Sequence, residues 1–460
     1  MQNRIKRIFC RILLFPLAVT LFISGCGGGG GGGGAPAPDT TSPTINFTTP
    51  SPSGTLTYNA DPTSLPANLA VLYSDSGGLS TSTFSPSFTF RGVTFSLTSL
   101  FSAGASSAST SSDTSPVYWT TVAKYGITTG TSIGNLPVFG VSSGSTGVLN
   151  LIDIDSTNNI AVVAATSRKK INYIGTTDGS LKKEITLSGT PTIVRACPSQ
   201  SKVYVAMSSS SSILVYSLPG GALSGTITLS ATPKSMAVNT TAGKAYVIYD
   251  NSTNLSIINC SDNSVASDTL DYIPQRIITN NQASSKLYYA GGIGSDKGVY
   301  QYSSTGQSKI FSLSALPEDI AFDSTQNRIA VVDYDANTVG IYDASSGSLS
   351  GTVSVGTRPF SIKAAQSKFY VLNKTSDSVS IINASAAALS GTITLSADPV
   401  GLAIDSSSLY VLQNLWEIAS QTTATLSASI KDTSGNTGQT SITLTINPVS
   451  TGGPDTPSTP

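Results

Sequence analysis

Ala222-Leu-Ser-Gly-Thr-Ile-Thr-Leu-Ser-Ala231 recurs, residue for residue, at 388–397. The copies stand 166 residues apart, four units of about 41.5. The unit shows elsewhere as well. Prolines at 191, 233, 274, 317, 359 and 399 are spaced by 42, 41, 43, 42 and 40 residues. Three residues after each comes an aliphatic residue or Met: Val194, Met236, Ile277, Ile320, Ile362 and Leu402. A further unit without the proline begins near Leu149 and places Ile152 at the same site. Within the unit the apolar period is two, the signature of strands. Pro317 to Asp323 reads as a first strand and Arg328 to Val332 as a second. Thr338-Val-Gly-Ile-Tyr-Asp343 reads as a third, and Gly-Thr-Ile-Thr-Leu or Gly-Thr-Val-Ser-Val as a fourth. Four short antiparallel strands per roughly 42 residues predict the blade of a β-propeller.

The second strand recurs as Lys202-Val-Tyr-Val, Lys244-Ala-Tyr-Val, Lys286-Leu-Tyr-Tyr and Lys368-Phe-Tyr-Val. These residues resemble the YVTN-type repeat propellers, relatives of the WD40 and quinoprotein propellers. Phe369-Tyr-Val-Leu-Asn373 comes nearest to the namesake motif, with Leu in place of its Thr. The resemblance covers about 300 residues.

Six units are complete between about 149 and 398, and the seventh, opened by Pro399, holds only its inner strands. Thr121 to Gly130 aligns with Thr338 to Gly347, so the missing outer strands are expected at the start of the repeat array. The fold class expected is therefore all-β, a seven-bladed propeller over 117–415 whose closing blade comes from 399–413 and 117–145. Strand-like segments also lie at 43–112 and 416–448. Ile430-Lys-Asp-Thr-Ser-Gly-Asn436 resembles the penultimate-strand corner of bacterial immunoglobulin-like domains. Neither flank alone has the roughly seven strands of a sandwich. The expectation is one Ig-like β-sandwich into which the propeller is inserted, the other reading being a separate N-terminal domain and a C-terminal hairpin. Trp119 and Trp416 flank the two junctions and would pack either at the interface or each in its own core.

The first 25 residues carry Arg4, Lys6, Arg7 and Arg11 and no acid, followed by an apolar run from Ile12 to Ile23. Twelve residues fall short of the roughly 20 that span a bilayer as a helix, so this is read as a signal peptide, residues 1–25. Ile23-Ser-Gly-Cys26 resembles a bacterial lipobox, which implies lipidation at Cys26. Gly27 to Gly34 and the following Ala-Pro-Ala-Pro make 26–42 a flexible tether. The resemblance, with Gly rather than Asp at 27, implies an outer-membrane lipoprotein. Residues 449–460 are expected to be a disordered tail.

Of 25 basic residues four leave with the signal, so 21 stand against 25 acidic, a net of −4. No nucleic-acid partner is expected from that balance. Beyond Cys10 and Cys26 only Cys197 and Cys260 remain, on neighbouring blades, as a bridge or two buried thiols.

There is no histidine, which removes His-based triads and the usual zinc and haem sites. No cofactor, metal site or catalytic residue is expected. Asp333-Tyr-Asp-Ala-Asn337 has alternate carboxylates but lacks the Gly and distal Glu of a calcium loop, and a turn explains it. Ser167-Arg-Lys-Lys170 reads as a solvated basic turn. Two function classes remain: a surface binding or structural module meeting an extracellular or periplasmic protein or glycan, or a propeller enzyme of lactonase or quinoprotein-like type. The first is favoured because such enzymes draw on His, Glu or Arg clusters, and Glu occurs only at 184, 318 and 417. In propellers of this kind, loops entering the inner strand and loops between the second and third strands share one face. Its candidate binding residues are Arg358, Asp398, Asp250, Asn251, Asp333, Asp335, Asn373 and Lys374.

Overall fold

The computed structural model describes residues 39–49, 56–59, 69–90, 93–97, 101–104, 106–110, 120–138, 151–166, 169–284, 286–396, 398–414 and 422–447. Cys26, residues 27–38 of the tether, Trp119, Trp416 and the 449–460 tail lie outside them. The described chain is all-β, and most of it is a series of four-stranded antiparallel sheets. The first holds Ile152–Asp155, Ile160–Ala165, Lys170–Gly175 and Leu181–Thr186 in that order. The next five repeat the pattern over 191–228, 233–269, 274–312, 320–354 and 359–394. A seventh sheet takes its inner strands, Asp398–Ile404 and Ser408–Asn414, from the far end of the array. Its outer strands, Thr120–Gly126 and Ser132–Val138, come from the near end. Leu412 stands opposite Val122, which stands opposite Leu136.

Burial follows strand position. In the second sheet Val203, Tyr204, Val205 and Ala206 are all fully buried, because each middle strand is covered by a neighbouring sheet on both faces. The outer strand Leu223–Thr228 keeps one buried residue, Ile227, and shows the rest to water wholly or in part. The inner strands touch in succession, and Asp398–Ile404 touches Ile152–Asp155, so the series closes on itself as a propeller-like ring. Each sheet keeps only a short inner edge toward the middle of the ring, and the packing of neighbouring sheets protects it.

Hydrogen bonds staple neighbours. The Asp153 carboxylate accepts from the Ala196 amide at 2.9 Å, and the Tyr370 hydroxyl donates to the Ile127 carbonyl at 2.6 Å. Cys197 and Cys260 are free thiols, buried in one apolar cluster and in hydrogen-bonding contact. That contact holds the Cys197 thiol below its ordinary value, while it and burial push the Cys260 thiol up.

The turns between third and fourth strands press against the preceding sheet. Gly347 sits at φ +72, and a Cβ there would lie 2.0 Å from the Ile310 carbonyl oxygen. Gly243 has a similar φ of +61 with nothing near it. Gly347→Ala is therefore expected to cost about 2–4 kcal/mol, left-handed strain plus a backbone clash, and Gly243→Ala only about 1 kcal/mol. Denaturant midpoints of the two variants measure this, and equal losses would contradict it.

Two further sheets come from the flanks of the ring, the first from the N-terminal flank alone and the second from both. One orders Thr44–Thr49, Ala70–Ser74, Ser107–Thr110 and Phe101–Ala103. The other orders Leu56–Asn59, Thr437–Asn447, Thr422–Asp432, Leu79–Phe90 and Val93–Ser96. Leu426 faces Phe88 in register across that second sheet. Tyr73 of the first sheet and Phe84 of the second have ring centroids 5.6 Å apart. Among the described residues no helix is long and apolar enough to cross a membrane.

Candidate functional site

Each repeat proline lies within the first two residues of an inner strand or just before it, a position that tolerates its missing N–H. Behind five of them the pairing slips by one residue. The residues passed over are Thr192, Lys234, Gln275, Phe360 and Val400. A bulge re-aims the side chain it leaves out of the ladder. All five line a single cavity of about 580 Å³ at the proline side of the ring, together with Glu318, which follows Pro317. An outer tier comes from the residue after the second strand: Ser208, Asp250, Tyr334 and Lys374. The strands are alike from repeat to repeat, whereas these two tiers carry a different residue in each.

The charges are mixed and partly paired. Lys234 Nζ lies 3.0 Å from Asp250 Oδ1 and donates to Gln275 Oε1 at 2.9 Å. Arg276 Nη2 lies 3.1 Å from Glu318 Oε1, and Nη1 donates to the Gln275 carbonyl at 3.0 Å. Burial pushes the Glu318 carboxyl above its ordinary value, against the pull of the Arg276 charge. The Arg358 guanidinium sits 5.7 Å over the Tyr334 ring, within cation–π range. Its backbone is left-handed, φ +56, with the amide donating to Asn337 Oδ1 at 2.7 Å. A left-handed arginine is held there by its surroundings.

The structure brings some of the sequence candidates together and separates others. Asp250 and Lys374 line the cavity, and Arg358 covers the tyrosine that does. Lys374 also donates its amide to the Arg358 carbonyl at 2.9 Å. Asn251, exposed at φ +49, and the exposed Asp335 belong to the same loops. Asp333 is turned to its own loop, its Oδ1 accepting from the Ala336 amide at 2.9 Å as in an Asx turn. Asp398 is half-buried at the first position of its strand, opposite Asn414. Asn373 is not at the surface. It is fully buried, and its Nδ2 donates to Ser378 Oγ at 3.1 Å and Ser380 Oγ at 3.0 Å. Its amide belongs to the sheet and is not offered to a partner. The tier behind the prolines is absent from the sequence candidates, although a signal exists: the residue after each proline is the one that changes.

No protein-family model matches the chain, and no curated protein matches it. Among solved structures it is similar to a chain of a nidogen/laminin complex, 15% identical over 53% of this chain and 97% of that one, with a TM-score of 0.42. It is also similar to a chain of a mitotic checkpoint complex, 15% identical over 60% and 89%, TM-score 0.48. A third is BBS1N in complex with ARL6DN, 15% identical over 60% and 93%, TM-score 0.46.

Proposed function

We propose that this chain is a lipid-anchored, extracytoplasmic binding protein whose proline-side cavity recognises a protein or glycan of the cell envelope. In this reading the ring is a seven-bladed β-propeller of YVTN type, set into an Ig-like sandwich that both flanks supply. Support for the insertion comes from the strand Thr422–Asp432, which pairs directly with Leu79–Phe90 across more than 300 residues of intervening chain. The lipobox resemblance at Cys26 and the glycine tether behind it supply the anchor and the reach.

One observation carries the binding role. A repeated scaffold sends its two variable tiers into the same cavity. Recognition surfaces are built this way, with rigid strands holding divergent loop positions. Lys234, Asp250, Arg276, Glu318, Tyr334 and Phe360 offer both signs of charge beside two aromatic faces. That mixture suits a protein segment better than a uniformly charged ligand. Reversing Lys374 and Arg358 to Glu together should weaken partner capture at least tenfold while leaving the melting temperature within a few degrees. Binding isotherms and thermal melts of the same preparations check both halves.

A further inference from the structure

A second cavity, of about 600 Å³, is lined by the inner strands and by the turns that follow them. Its wall carries Asp153, Arg195, Asp319 and Lys363. Asp153, Arg195 and Lys363 hold the same strand position, the residue after Ile152, Val194 and Ile362. In the other four repeats that position is Ala237, Ile278, Ala321 or Ala403.

The two carboxylates are occupied. Asp153 accepts from the amides of Ile154 at 3.0 Å and Ala196 at 2.9 Å. Asp319 accepts from the amides of Ile320 at 2.9 Å and Ile362 at 3.0 Å, and from Ser361 Oγ at 3.4 Å. Their bonds tie the first sheet to the second and the fifth to the sixth. The two cations are only partly occupied. Arg195 spends Nε on the Met236 carbonyl at 3.1 Å and Nη1 on the Val194 carbonyl at 3.2 Å. Among the described residues no carboxylate oxygen lies within 4.0 Å of either Arg195 or Lys363. Burial first, and then the nearby Arg195 charge, push the Lys363 ammonium below its ordinary value, against the pull of the Asp319 and Asp153 charges. Both cations are half-buried and feel the Asp153 and Asp319 charges, but those carboxylates already accept backbone amides, so an incoming carboxylate supplies the direct charge-assisted acceptor that they do not.

We propose that this channel binds a small organic carboxylate, its head held between Arg195 and Lys363. The rest of the wall includes Met236, Ile278, Ile320 and Phe322, so the ligand carries a short apolar body. An ammonium and a guanidinium together match a carboxylate through charge-assisted hydrogen bonds. The site is separate from the proline-side cavity and stands or falls without it.

Hexanoate and inorganic phosphate are the probes, titrated calorimetrically into the full chain in mild detergent. Saturable hexanoate binding, weakened at least tenfold by Lys363→Met and by Arg195→Gln but unchanged by Lys374→Met, is the expected result. Lys363→Met should also keep or raise the melting temperature of the ligand-free protein, which separates lost binding from lost fold. Binding of phosphate alone would overturn the carboxylate assignment. Absence of saturable binding, or hexanoate affinity that survives both channel substitutions, would overturn the site.

Discussion

A chain lacking residues 120–138 is expected to aggregate, or to melt far below its parent, although six complete sheets remain. Those nineteen residues bury Val122, Ala123, Tyr125, Ile127 and Leu136. The side chains divide between two clusters. Val122 and Leu136 pack with residues of the first sheet, while Ala123, Tyr125 and Ile127 pack with residues of the sixth. Hydrogen bonds follow the same division. Lys124 Nζ donates to the Thr176 carbonyl at 3.0 Å on one side, and Tyr370 donates to the Ile127 carbonyl on the other. At about 1.5–3 kcal/mol for each larger apolar side chain, the loss is of order 10 kcal/mol, comparable to the whole stability of a domain. The deletion also bares Ser408–Asn414, whose seven residues are all buried. An unpaired apolar edge of that kind templates association. Size-exclusion chromatography and thermal melting measure the outcome. A monomeric deletion protein melting like its parent would contradict the pairing of the two chain ends.

Replacing Cys26 with Ala should move essentially all of the protein from the membrane fraction to the soluble fraction. Acyl chains contribute about 0.8 kcal/mol for each buried methylene, and stable attachment takes two such signals. Beyond Cys26 the chain offers no compensating excess of basic residues, with 21 basic against 25 acidic once the first 25 residues are set aside. Fractionation in moderate salt, with mass spectrometry of the N-terminal peptide, checks this directly. A Cys26→Ala protein that still sediments with membranes would contradict the lipid anchor.

The repeated sheets are open to sequence reading because the prolines and the period-two runs report on local structure. A strand covered on both faces, such as Lys202–Met207, must be apolar nearly throughout, and one at the rim, such as Leu223–Thr228, must not. The features that escape such a reading depend on how sheets meet. Asn373 looks like a loop residue by composition, yet the packed end of its sheet encloses it beside Ser378 and Ser380. Arg195 and Lys363 read as ordinary exposed strand positions until the ring closes around them. Cys197 ends an inner strand, and Cys260 follows the third strand of the next sheet, so their contact is set by the angle between sheets. The cavity tier behind the prolines is an intermediate case. Its variability is plain in the sequence, but only the slipped register shows where those side chains point.

Recognition by the proline-side cavity, with the flanking sheets as its carrier, is tested most directly by the affinity of an envelope partner for two altered proteins. One combines Arg358→Glu and Lys374→Glu at the cavity. The other changes surface positions of the flanking sheets, the half-buried Thr89→Lys and the exposed Thr94→Lys, whose hydroxyls lie 2.8 Å apart. The expected result is at least a tenfold loss for the first and less than a twofold change for the second. The reverse pattern would make the ring a spacer and the flanking sheets the binder.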